Sequence, residues 1–231
     1  MSVKQDLIMH KDDYTVFDKL AAESRKNKSC GPLGWVKVYF DSKLDANKNI
    51  ISGNLHHEGS NLVVANGRSF VAQKIFNLAG TPDYRNYTLT HFAVGAGGAT
   101  VSDETVTLTG PYICDTGLTK PIKLSGTYIE EPSGIIGSPN TLYSYEGAVK
   151  PITTDGAIVI EDETFENTSG GATCTYGTKV KCTCVIPAGE PTGLVAGQSV
   201  PISEAGLYLV SGSTAKMFAH ICFAPKWKEL N

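Results

Sequence analysis

The stretch CVIPAGEPTGLVAGQSVPISEAGLYLVSGSTAKMFAHICFAPKW, Cys184 to Trp227, decides the fold class. Ile202 to Tyr208 reads as a strand end, a bend permitted by Gly206 and a new strand. Met217 to Phe223 reads as its hairpin partner across the turn residues Ser211 to Thr214. Just upstream, KVKCTCVIP (Lys179 to Pro187) alternates strictly. Val180, Cys182, Cys184 and Ile186 are set to face one way, and Lys179, Lys181 and Thr183 the other.

The same β pattern extends through the second half of the chain. Tyr87 to Val94 alternates and is followed by the turn-rich Gly95-Ala96-Gly97-Gly98. Val106 to Leu108, Ile122 to Ile129, Leu142 to Val149 and Ala157 to Ile160 are further candidate strands. In the first half, WVKVYF (Trp35 to Phe40) is a strand with Val36, Val38 and Phe40 on one face. The polar segment Asp41 to Ser60 reads as an exposed loop or hairpin extension.

Two helices are expected. The first lies within residues 4 to 28, best placed at about 13 to 28. Asp12 and Asp13 stand at its start, Arg25, Lys26 and Lys28 at its end, and Cys30-Gly31-Pro32 beyond it. The second spans Asn66 to Gly80, with Asn66 as N-cap and Phe70, Val71, Ile75 and Leu78 along its apolar stripe. Residues 1–34 therefore read as an N-terminal helical arm, and 35–231 as a mainly β domain: an antiparallel β-sandwich with one helix packed on it.

With 231 residues, 41% hydrophobic and only 19% charged, the composition is globular with a surface partly covered by neighbours. The net charge of −3 supplies no basic field for nucleic acid. The apolar runs are too short to cross a bilayer, and the charged start MSVKQDLIMHKDDYTVF lacks the apolar core of a signal peptide. A protein made in a cytosol, without membrane or nucleic-acid partners, is the expectation. Its six cysteines (30, 114, 174, 182, 184, 222) are then buried thiols, or some pair only after the protein leaves that reducing compartment.

No chemical motif is complete. Gly95 to Ala99 fails the dinucleotide spacing because position 100 is Thr, and a β-like stretch follows it, so a flexible turn is expected. His56-His57-Glu58 are adjacent, which in extended chain points the two imidazoles apart. A third ligand from His10, His91 or His220 would be needed for a metal. Glu130-Glu131 and Glu161-Asp162-Glu163 with Glu166 are bunched rather than spaced as calcium ligands, and read as solvated loops. There is no GxSxG elbow and no protease-like cysteine context. His91 and His220 lie in strand-like stretches, where a packed or hydrogen-bonded imidazole is expected. No catalytic, cofactor-binding or metal residue is assigned, and no cofactor or enzymatic activity is expected.

The order of several short motifs carries a resemblance. Asn66-Gly67-Arg68-Ser69-Phe70-Val71-Ala72-Gln73-Lys74 is followed by Phe92-Ala93-Val94-Gly95-Ala96-Gly97-Gly98 and Asp115-Thr116-Gly117-Leu118. Then come Ile202-Ser203-Glu204-Ala205-Gly206-Leu207-Tyr208, Phe218-Ala219-His220 and Phe223-Ala224-Pro225-Lys226. Over about residues 61 to 228 this resembles modules of tailed-bacteriophage structural proteins. Tail-fibre and baseplate-attachment modules carry a "GRxxVAxxL" helix, a glycine-rich turn, a "tALxxE" segment and "IxExGLF…lxAr". The chain departs from that pattern at Gly117, where such modules often have Ala, and in lacking an acidic residue directly after Leu118.

The resemblance implies a β-sandwich virion component without the long shaft of a full fibre. It implies a neck, collar, tail, baseplate or capsid-decoration protein acting through oligomeric contacts with other virion proteins. The alternative it leaves is a carbohydrate- or receptor-binding module of the virion, in which Tyr112, Tyr128, Tyr143 and Tyr145 would stack on a host surface glycan. A glycan depolymerase using acidic loop residues is the third reading.

Overall fold

The computed structural model describes residues 2–7, 34–102, 105–122, 124, 129–130, 148–166, 173–188, 190 and 199–229. The chain is mainly β. Its strands are β1 (Ser2–Leu7), β2 (Gly34–Leu44), β3 (Ile50–Val63), β4 (Thr88–Gly95), β5 (Ala99–Ser102), β6 (Thr105–Leu108), β7 (Pro121–Ile122), β8 (Ile129–Glu130), β9 (Ala148–Pro151), β10 (Ala157–Glu166), β11 (Thr173–Val185), β12 (Ser199–Ser211) and β13 (Thr214–Glu229). Among the described residues one α-helix, α1 (Ala65–Phe76), follows β3. Among the described residues no helix is long and apolar enough to cross a membrane.

Eleven strands form one sheet in the order β10-β11-β1-β2-β3-β13-β12-β4-β9-β8, with β7 added on β4; every pairing is antiparallel. The expectation of a sandwich is corrected here. β3 crosses to β13 through only two paired positions, Val63↔Ala219 and Leu62↔His220. At that narrow seam the sheet curls into a half-barrel. Val36, Val38 and Phe40 of β2 and Cys182 and Cys184 of β11 thereby share one core with Phe92, Val94, Leu207, Phe218 and Phe223 from the other half. A twisted sheet closing on its own apolar face buries what two stacked sheets would bury. A second, smaller core (Val64, Ala93, Leu118, Val149, Tyr208, Met217) covers the opposite face of β4, β12 and β13.

Several readings of the sequence are corrected. Residues 2–7, at the edge of the helical arm, are strand β1, paired with both β2 and β11; the helix expected at 13–28 lies outside the described residues. Asp41 to Ser60 is a hairpin extension, with β2 and β3 joined around Asp45–Asn49, not a loop. Glu161 to Glu166 continue strand β10, and Glu130 lies in β8, whereas Glu131 is outside the described residues. The alternation of β11 is right for Cys182 and Cys184, but Lys181 and Thr183 are buried as well. Lys181 is ion-paired to Glu161 at 3.1 Å. The bend expected at Gly206 is absent: β12 runs unbroken, and its irregularities are register shifts between Ile202 and Glu204 and between Leu207 and Tyr208.

Helix α1 begins at Ala65 rather than beyond an Asn66 cap, and ends on Asn77 in the left-handed conformation. Its buried positions are Gly67 and Gln73; of the expected stripe Phe70 and Val71 pack partly buried on the core, while Ile75 and Leu78 are exposed, as is the neighbouring Phe76, to 70%. Polar ties decide its orientation. The Tyr84 hydroxyl donates to Asn66 Oδ1 at 2.7 Å. Gln73 Nε2 donates to the Pro82 carbonyl at 3.0 Å, and the Tyr84 amide donates to Gln73 Oε1 at 2.7 Å. A Cβ on Gly67 would overlap the Phe218 carbonyl oxygen and come within 2.9 Å of Val63 Cγ1, so glycine lets the first turn lie this close to β13. Gly67→Ala should therefore cost about 1–3 kcal/mol by overpacking, read as a lowered urea midpoint. Phe76→Ser should change stability by less than about 0.5 kcal/mol.

Candidate functional site

Four of the six motifs whose order carries the resemblance meet at one buried carboxylate. Glu204 sits in the middle of β12, 0% exposed. The register shift after Ile202 reverses the alternation of the strand there. Ile202 and Leu207 face the main core, while Glu204 turns to the side where the glycine loop and the Asp115–Lys120 segment lie.

Four donors meet Glu204. The Gly97 and Lys120 amides both donate to Oε1 at 2.8 Å, and the Thr119 amide donates to Oε2 at 3.1 Å. His220 Nε2–H donates to Oε2 at 3.2 Å. On its other side, His220 Nδ1–H donates to Asp115 Oδ2 at 2.7 Å. Asp115 is itself oriented by the Tyr112 amide, which donates to Oδ2 at 2.8 Å.

The glycine loop is thus not a flexible turn. Gly95 to Gly98 are all buried, and the Gly98 amide donates to Ser203 Oγ at 3.0 Å. A Cβ on Gly98 would overlap the Ser203 backbone carbonyl, so only glycine admits this approach. The Gly97 amide of the loop, with the Thr119 and Lys120 amides, does hold an anion, but the anion is the protein's own glutamate.

The electrostatics follow from the partners. Burial alone would lower the His220 pKa, but hydrogen bonds to Asp115, to Cys222 and to Glu204 outweigh it and push it up to about 11. Burial would raise Glu204; the hydrogen bonds from His220 and Lys120 hold it below the ordinary glutamate value. Asp115 is held low in the same way, its burial outweighed by His220 and Tyr112. The cluster is a carboxylate–imidazolium–carboxylate chain.

Cys222 Sγ lies 3.7 Å from His220 Nε2, which with Asp115 gives the outline of a cysteine–histidine–aspartate triad. In the structure His220 Nε2 lies closer to Glu204 Oε2, at 3.2 Å, than to the thiol, and His220, Glu204 and Cys222 are all buried. The arrangement fastens four segments that are distant in sequence.

A pH signature follows. The folded chain binds the His220 proton up to about pH 11, whereas the unfolded imidazole releases it near 6.5. Stability from this group is full below pH 6.5 and is lost as pH rises toward 11, at roughly 1 kcal/mol per pH unit. Glu204 and Asp115 have lowered values, so their contribution is present above the ordinary carboxylate range and lost as pH falls through it. Maximal stability is expected between about pH 4.5 and 6.5. Urea midpoints at pH 5.5 and 8.5 should differ in the wild type, and His220→Gln should flatten the alkaline limb.

The other candidates are dispersed. His56 Nε2 hydrogen-bonds the Ala224 carbonyl at 2.8 Å, and His57 packs on Phe223. Glu58 accepts from the Trp35 indole and pairs with Lys37, both at 2.9 Å. His91 Nδ1 meets Thr90 Oγ1 at 2.8 Å, and His10 lies outside the described residues. Among the described residues no group of three or more His, Cys, Asp and Glu is placed to hold a metal ion. Cys182, Cys184 and Cys222 are buried, Cys114 is exposed, and none of the four is in a disulfide. Burial, with Cys182 beside it, pushes the Cys184 thiol well up, which keeps it protonated. Tyr112 is exposed; Tyr128, Tyr143 and Tyr145 lie outside the described residues.

Sequence reasoning assigned no role to Glu204 or Asp115, although an acidic residue in an otherwise apolar strand (Glu204 in ISEAGLYLV) was a usable signal. It also missed a second buried pair. Lys150, 2% exposed, donates to Glu190 Oε1 at 2.8 Å and to Asp155 Oδ2 at 2.7 Å. Compared with known protein families, curated proteins and solved structures, the chain matches none.

Proposed function

We propose that the chain is a non-enzymatic structural component of a bacteriophage particle: a neck or collar, tail or baseplate, or capsid-decoration protein. It is made in the host cytoplasm and works in the virion through oligomeric protein–protein contacts.

The observation that carries this reading is the β5–β6 ribbon. Val101 is paired directly with Val106, and Ala99 with Leu108, so these side chains share one face. Val101, Val106 and Leu108 are all exposed. The other face is Thr100, Ser102, Thr105 and Thr107. A two-stranded ribbon is marginal by itself, and an exposed apolar face on one favours coverage by a neighbour. Ile75, Phe76 and Leu78 at the end of α1, and Ile51 and Leu55 on β3, add further exposed apolar positions. Symmetric assemblies cover such faces with copies or partners. The ordered motifs from Phe92 to Lys226 favour a phage particle as the assembly.

Proteomics of purified particles tests the reading, with the protein expected at a stoichiometric copy number; its absence from washed virions would sink it. In the isolated protein, Val101→Lys with Val106→Lys should lower the oligomeric mass seen by light scattering. Stability should change by no more than about 0.5 kcal/mol per site, as for other surface substitutions.

A further inference from the structure

Asn61 is a polar residue set into the main core. It stands next to Leu62, the last position of β3 that pairs across the narrow seam with β13. On its other side it pairs with Gly34 of β2. It shares its face of β3 with Val63, a member of the core, and is only 8% exposed. Gly34 makes room for it: a Cβ there would overlap Asn61 Oδ1, so the side-chain amide lies directly against the β2 backbone.

Both ends of that amide, Oδ1 and Nδ2, are shut off from solvent, and neither has a hydrogen-bond partner among the described residues. A donor and an acceptor left unmade in an apolar interior are costly, and buried side-chain polar atoms nearly always meet protein or ordered water. Turning the amide over exchanges the two atoms and relieves neither. A cavity opens at this amide, with about 10 Å³ of room for a water-sized occupant. Val36, Phe92, Ala219 and Ile221, all members of the core, give it apolar walls. Cys184 also lines it, and burial keeps that group a protonated thiol, a weak donor. His220 borders it too, but its ring nitrogens are committed to Asp115 and Glu204.

We infer that this cavity is a binding site for one structural water, held by the Asn61 side-chain amide. Size sets the number, since a buried water needs roughly 10–15 Å³ of such room and a second would not fit. Chemistry sets the kind. Water both donates and accepts, so it can serve the amide whether Nδ2–H or Oδ1 faces it. A metal cation would find no carboxylate in the lining, and an apolar occupant would leave the amide unmet. The place also fits. The ladder between β3 and β13 stops at Leu62↔His220, so beyond it no strand partner is at hand for a polar group in the core. The water supplies one where the sheet begins to curl. The inference does not depend on where the protein works, and its failure leaves the virion reading untouched.

A crystal structure of the full chain, at a resolution that shows ordered water, makes the test on the wild type. One water peak should lie about 2.7–3.2 Å from Asn61 Nδ2 or Oδ1. In solution, the Asn61 side-chain NH₂ should give cross-peaks to water of opposite sign in laboratory-frame and rotating-frame Overhauser spectra. That sign difference separates a bound water from simple proton exchange. Asn61→Leu removes both polar atoms at similar size, and the water peak should be lost with them. The inference is overturned if the wild-type cavity shows neither a water peak nor a cross-peak. It is equally overturned if the Asn61 amide is found bonded to a protein group instead, or if the water persists in Asn61→Leu.

Discussion

Glu204→Ala should destabilise the protein by about 3–5 kcal/mol, the cost of breaking a buried ion pair from one side. Three amides, of Gly97, Thr119 and Lys120, lose their acceptor, and His220 keeps its charge with Asp115 as its remaining carboxylate partner. Each amide left unsatisfied in the interior costs about 1–3 kcal/mol where water cannot reach it. Against a total stability of about 5–15 kcal/mol, the loss is large enough to leave part of the population unfolded.

The informative variant is Glu204→Gln. Both carboxylate oxygens act only as acceptors here, Oε1 for two amides and Oε2 for one amide and His220. An amide side chain must turn its NH₂ toward donors whichever way it flips. Gln is therefore expected to lose about 2 kcal/mol or more despite its matching shape. It should also lower the His220 pKa and weaken the alkaline fall in stability. Urea titration of both variants at pH 5.5 and 8.5 makes the check. A Gln variant as stable as the wild type would show that charge at position 204 is not what holds the segments together.

The sequence was most legible where one physical signal dominated. Val36, Val38 and Phe40 alternate into the core as read, because β2 has one face toward the core and the other toward water. The hairpin of β12 and β13 was equally clear from Ser211 to Thr214. Legibility failed where both faces are covered. Glu204 is invisible to an alternation argument because β12 is buried on both sides for most of its length. The same holds for Lys181 and Thr183 on β11. In α1 the apolar count pointed to Ile75 and Leu78, while the actual orientation is set by Gln73 and Asn66 reaching for Tyr84 and Pro82. Those partners come from a loop whose path no helix-period argument contains.

The glycine loop shows a different limit. The reading that no helix follows Gly98 holds, since β5 begins at Ala99, and the loop amides meet side chains of β12. Nothing local to Gly95–Gly98 could say that the anion in its cradle would come from Glu204, more than a hundred residues on. The convergence of that loop with Asp115 and His220 was foreshadowed only by the motif order. The curl of the sheet, which turns an expected sandwich into a half-barrel, depends on the two-residue seam between β3 and β13.

Lys150→Ala is expected to cost about as much as Glu204→Ala, roughly 3–5 kcal/mol, for the same reason. The ammonium is 2% exposed and reaches Glu190 at 2.8 Å, a carboxylate also 2% exposed, and Asp155 at 2.7 Å. Removing the cation takes from the buried Glu190 its hydrogen-bonded ion-pair partner. Lys150 stands on β9, which pairs with β4 beside β12, so the pair fastens Glu190 to the sheet half that carries Glu204. Replacing both partners by apolar residues of similar size, Lys150→Met with Glu190→Leu, removes both charges of the ion pair together. That double variant should recover most of the loss, since a well-packed apolar pair is often neutral or stabilising relative to a buried ion pair. Asp155 is more exposed and can be solvated in either background. A double-mutant cycle by urea unfolding measures the coupling directly, expected at about 2–3 kcal/mol. If the double variant instead loses the sum of the two single losses, Lys150 and Glu190 act independently. The stability of this corner would then rest on packing around β9 rather than on the charge pair.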